Sequence, residues 1–85
     1  MFASELRAKK IGMIFQHFNL FEHLSVNENV TIPLIPSGLK MKEINEKVNE
    51  AMKLANIIHK QETLASRLSG GEKQRTAIAR ALVAD

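Results

Sequence analysis

The chain has 85 residues, 45% of them apolar and 25% charged, which is globular composition rather than disorder but only enough for one small domain. There is no cysteine, and His17, His23 and His59 lack metal-ligand spacing, so a disulfide scaffold, a zinc finger and a cysteine-dependent enzyme are excluded. Twelve basic against nine acidic side chains give +3, spread along the chain rather than gathered into a run.

The four aromatic residues, all phenylalanine, stand at Phe2, Phe15, Phe18 and Phe21, so everything beyond Phe21 must pack with aliphatic side chains. A domain this short buries little of its own surface and is marginal without help from elsewhere. No apolar stretch approaches the ~20 residues of a membrane span, and the opening segment has no apolar region of the secretory kind. The default expectation is a soluble cytoplasmic protein.

In chain order, Ala3 to Lys10 reads as a short polar helix. Ile11–Gly12–Met13–Ile14–Phe15, ending at Gln16, has the length and continuous apolarity of a buried strand. No second segment reads as a strand, and a lone strand leaves its backbone unpaired. The loop from His17 to Leu24 carries four large apolar residues, unusual for a connecting segment.

Ser25–Val26–Asn27–Glu28 matches a capping box, followed by a helix from Val26 that Pro33 kinks or stops. Pro36–Ser37–Gly38 is a break. From Leu39 to about Ile58 the spacing predicts the longest helix. Met41, Ile44, Val48, Ala51, Met52, Ala55 and Ile58 form its apolar stripe, which ordinary core packing accounts for. Lys42, Glu43, Glu46, Lys47, Glu50 and Lys53 cover the other face, with Glu43 and Lys47 correctly oriented at i,i+4. Residues His59 to Thr63 read as a polar linker, and a last helix runs from near Gly71 to Ala84.

The start of that last helix carries the chemistry. Leu68–Ser69–Gly70–Gly71–Glu72 places two glycines and a hydroxyl where unpaired N–H groups and the positive end of the helix dipole meet an approaching anion. On these residues alone an ordinary alternative is open, because Ser69 to Glu72 is also a capping box that needs no ligand.

The whole run from Leu68 to Leu82 resembles the signature motif and following helix of ABC-type ATPases. Ile11 to Gln16, followed by His17–Phe18–Asn19–Leu20–Phe21, resembles the Q-loop of the same family, and Ser25 to Leu34 the helix after it. The resemblance extends from about Leu6 to Asp85. Details of the Q-loop are similar to importers of methionine and polar amino acids and also to the lipoprotein-release and peptide-export group. Glu72 stands where the family more often has glutamine.

The fold class this resemblance implies is mainly α: the helical subdomain of an ABC-type P-loop ATPase with one short core strand, the parent fold being α/β. Residues 1–16 would be the end of the ATPase core, 17–67 the helical subdomain, and 68–85 the signature motif and its helix. In such ATPases two subunits meet head to tail. Leu68, Ser69, Gly70, Gly71 and Glu72 would then contact, in trans, the γ-phosphate of ATP held by the second ATP-binding subunit. Gln16 would be the Q-loop residue near Mg2+ and the attacking water. Phe18, Leu20, Phe21 and Leu24 would face transmembrane permease subunits, placing the protein on the inner face of the membrane.

ATP and Mg2+ are implied for the parent protein and none for the isolated chain. A Walker A loop needs G-x-x-x-x-G-K-[ST], and the only glycines are Gly12, Gly38, Gly70 and Gly71, with neither G-K-S nor G-K-T present. The Walker B aspartate, the catalytic glutamate and the switch histidine of the family are also unmatched. The chain is therefore expected not to hydrolyse ATP alone. Two other readings are a stand-alone helical scaffold and a basic nucleic-acid module built on Lys73, Gln74, Arg75 and Arg80. The latter is disfavoured because those charges are few and mixed with Glu72 and Asp85.

Overall fold

The computed structural model describes residues 20–84. The expected N-terminal helix, the strand ending at Gln16, and Phe18 lie outside the described residues. Within them the architecture is helical, as expected: α1 (Val26–Thr31), α2 (Met41–Leu54) and α3 (Gly70–Ala84), joined by short 3₁₀ turns. The extended contact among described residues is an isolated antiparallel bridge between Ser25 and Leu64.

α1 begins at the expected capping box. The Ser25 hydroxyl accepts from the Glu28 N–H at 3.1 Å, and the Glu28 carboxylate accepts from the Ser25 N–H at 2.9 Å. The next free amides are met from across the chain: Val26 N–H donates to the Thr63 carbonyl and Asn27 N–H to that of Gln61, at 3.0 and 2.9 Å. Further along, Ala65 N–H donates to Leu24 and Ser66 N–H to Glu22. The segment read as a polar linker is thus paired backbone to backbone with the start of α1, and a 3₁₀ turn at Ile58–Lys60 leads into it.

Pro33 has no N–H to continue the α-helical ladder, and from Ile32 to Ser37 the chain tightens into a 3₁₀ helix. Gly38 ends it with φ 81°, the left-handed region that a glycine enters without strain.

α2 is shorter than its apolar stripe predicts. It stops at Leu54 because Asn56 adopts φ 57°. Ile57 N–H then donates back to the Met52 carbonyl at 2.9 Å and Asn56 N–H to that of Lys53 at 3.1 Å, the two bonds of a Schellman motif. The change of direction buries Ile57 fully and leaves Ile58 half-buried, while Met41, at the first helical position, is 63% exposed. Both ends of the predicted stripe are corrected by these positions. Its centre, Ile44, Val48, Ala51, Met52 and Ala55, is buried.

Those residues meet Val26, Val30 and Leu34 from the N-terminal side and Leu68 and Ala79 from the C-terminal side in one core. α3 packs against both α1 and α2. It presents small buried side chains, Thr76, Ala77 and Ala79, which let its backbone come close. The Thr76 hydroxyl is satisfied by the Glu72 carbonyl at 2.9 Å.

Candidate functional site

The start of α3 is built from a buried anchor and an exposed tip. Leu68 is buried in the core, whereas Ser69, Gly70 and Gly71 are exposed. The capping box expected there is formed: Glu72 N–H donates to the Ser69 hydroxyl oxygen at 3.2 Å, and the Glu72 carboxylate accepts from Ser69 N–H at 2.9 Å. Capping uses only a lone pair of the Ser69 oxygen, so its own proton remains available to donate outward. Gly70 and Gly71 are the first two helical residues, and amides at these positions have no acceptor within the helix.

Neither glycine is demanded by the chain itself. Positive φ among the glycines is confined to Gly38 within the described residues. A Cβ at Gly70 would meet nothing within 4 Å, and one at Gly71 would meet only an Arg75 guanidinium nitrogen at 3.9 Å. What the missing Cβ atoms provide is open access to two backbone amides.

Lys60 lies 3.7 Å from the Glu72 carboxylate. The Ser69 N–H holds the Glu72 carboxyl below its usual range, with the charges of Lys60 and Arg75 acting in the same direction. Lys60, in the stretch expected to be a polar linker, is a neighbour of the helix start that sequence reading missed. No pattern along the chain places position 60 beside position 72; the pairing comes from the turns that follow Asn56.

A second group of predicted residues lies on the loop before α1. Leu20 and Leu24 are half-buried, and Leu20 packs on the core. Phe21 is 42% exposed. The guanidinium of Arg80 sits 5.3 Å from the centroid of the Phe21 ring, and Lys73 is 3.3 Å from the Glu22 carboxylate. Two charges of the supposed basic helix are therefore turned onto this loop. Gln16 and Phe18 lie outside the described residues, so their expected proximity to these groups is carried by sequence alone.

Comparison with known proteins decides the family. The chain matches the ABC transporter family from residue 3 to residue 85. It belongs to that family. It is 55% identical over 75 residues to the methionine import ATP-binding protein MetN 1 of Staphylococcus epidermidis, covering 88% of this chain and 22% of that protein. The methionine import ATP-binding protein MetN of Photobacterium profundum is 51% identical over 80 residues, 94% of this chain and 23% of the relative. The corresponding protein of Vibrio vulnificus is 50% identical over 82 residues, 96% of this chain and 24% of the relative. The chain thus spans about a quarter or less of the length of these curated relatives. Among the described residues no helix is long and apolar enough to cross a membrane, and no cluster of side chains could hold a metal ion.

Proposed function

We propose that this chain works as the helical lobe of the ATP-binding subunit of an ABC importer for an amino acid, methionine being the substrate named for its relatives. The observation that carries it is the start of α3. Ser69, Gly70 and Gly71 stand exposed, with open space where two Cβ atoms would be, and nothing in the chain's own packing calls for glycine there.

Such a surface suits phosphate. The Ser69 hydroxyl donates outward while its oxygen caps the helix, and the amides of Gly70 and Gly71 converge with the helix dipole on the same anion. Leu68 acts from beneath, its buried side chain fixing the loop against the core. Glu72 holds the Ser69 amide, so its contribution is to orient the hydroxyl rather than to touch phosphate. In a head-to-tail dimer these groups would meet the γ-phosphate of ATP bound by the second subunit. Mg-ATP supplies the phosphoryl chemistry there; this chain supplies positioning and charge stabilisation. Gln16 would sense the metal and water, and Phe18, Leu20, Phe21 and Leu24 would face the permease subunits on the inner side of the membrane.

The direct test is Ser69→Arg or Gly70→Asp in the complete ATP-binding subunit. Either introduces bulk, and the second a negative charge, at an exposed position, so the fold persists while hydrolysis falls by about 100-fold or more, the scale of losing one positioned donor. Unchanged hydrolysis in both folded variants would falsify the assignment.

A further inference from the structure

We infer that Asn29 is a positioning residue whose carboxamide makes residues 21–25 a rigid extension of the helical lobe, so that this loop and the start of α3 move as one body. The inference rests on the proposed function for the meaning of that motion: the loop faces the permease, and the helix start faces phosphate.

Asn29 lies on α1 and is fully buried. Its Oδ1 accepts from the Phe21 N–H at 2.8 Å, and its Nδ2 donates to the Phe21 carbonyl at 3.1 Å. The same Nδ2 reaches the Ser25 carbonyl at 2.9 Å and that of Leu24 at 3.3 Å. One side chain thus grips Phe21 by both its N–H and its C=O and closes the turn at its far end. Only a primary amide presents a donor pair and an acceptor at this reach. Leucine fills a similar volume but leaves the Phe21 amide unpaired, and aspartate turns an acceptor toward three carbonyl oxygens.

From the clamped loop the connections run onward to α3. Glu22 pairs with Lys73, Phe21 lies under Arg80, and Ser66 N–H and Ala65 N–H hold the carbonyls of Glu22 and Leu24 just before the signature segment. Individually such contacts near the surface are weak. They transmit displacement only if the loop does not flex. The buried carboxamide is what prevents flexing.

The experiment compares Asn29→Leu and Asn29→Asp with the unmodified protein, in the complete ATP-binding subunit with and without its membrane subunits. Amide hydrogen exchange reads the clamp, and ATP hydrolysis reads the coupling. The Phe21 amide is expected to exchange about tenfold faster or more, while Val48 and Met52 in α2 keep their protection. Basal hydrolysis stays within about twofold, and stimulation by the membrane subunits falls about fivefold or more. Unchanged Phe21 exchange overturns the clamp. Loss of basal activity and of α2 protection in parallel with stimulation overturns the positioning role in favour of a purely structural one.

A second arm leaves Asn29 intact: Glu22→Cys with Lys73→Cys, joined by a short bis-thiol linker. Two points that already move together tolerate the tie, so stimulation persists. Its loss on linking overturns the inference. A subunit with no ATP hydrolysis at all would instead sink the proposed function, and the Phe21 exchange rate would still decide the clamp.

Discussion

Glu72 holds the Ser69 amide with its carboxylate, and that bond, more than the nearby charges of Lys60 and Arg75, keeps its carboxyl below the ordinary 4.5. A depressed value in the folded state means that the carboxylate stabilises the fold at neutral pH and stops doing so as pH falls from 4.5 through the folded value. Glutamine at the same position can still accept from the Ser69 amide, because the capping box tolerates either side chain. It cannot titrate or pair with Lys60. Glu72→Gln is therefore expected to be slightly less stable at pH 7 and to lose that deficit at an acid pH where the carboxyl is protonated in the folded state. Urea midpoints of both proteins at the two pH values check this, and a deficit that is constant with pH would show that the carboxylate charge is irrelevant. The pairing of Ser69 with Glu72 was legible three residues apart in the sequence. The partnership with Lys60 was not, since it depends on where the chain turns after α2.

At the scale of elements, periodicity located the centre of α2 and misplaced its end. The stripe from Ile44 to Ala55 is buried as its spacing requires, but an apolar residue at 58 prolonged the pattern past the point where the backbone leaves the helix. Asn56 was the available signal: asparagine tolerates the left-handed conformation, and the apolar Ile57 after it supplies the contact a Schellman motif favours. Asn56→Gly is expected to be neutral or mildly stabilising, whereas Asn56→Val, β-branched at φ 57°, should cost about 1–2 kcal/mol. Equal urea midpoints for the two variants would show that the helix ends for another reason. The two capping boxes were readable because serine and glutamate three apart satisfy amides locally. The pairing of residues 22–27 with 61–66 was not readable, because carbonyls and amides carry no side-chain pattern to announce their partners.

At the scale of the molecule, a short chain whose sequence has no aromatic residue after Phe21 still closes a core. Residues 20–84 bury a continuous aliphatic core among three helices, and Phe21 lies at its surface under Arg80. The lobe offers an exposed helix start but no phosphate-wrapping G-x-x-x-x-G-K-[ST] loop, since neither G-K-S nor G-K-T occurs anywhere in the chain. One hydroxyl and two amides reaching a single phosphate cannot hold a nucleotide that is otherwise free in water. On the proposed function they would instead act on ATP already bound by a second subunit, where other contacts have met the entropy of binding. Calorimetric titration of Mg-ATP into the 85-residue chain is accordingly expected to give no saturable heat at micromolar nucleotide. In the complete subunit, ATP-driven dimerisation should depend on Ser69 and Gly70 while ATP binding to the monomer should not. Micromolar binding by the isolated chain, or loss of monomer binding on Ser69→Arg, would place these residues in a site of their own and refute their action across the dimer.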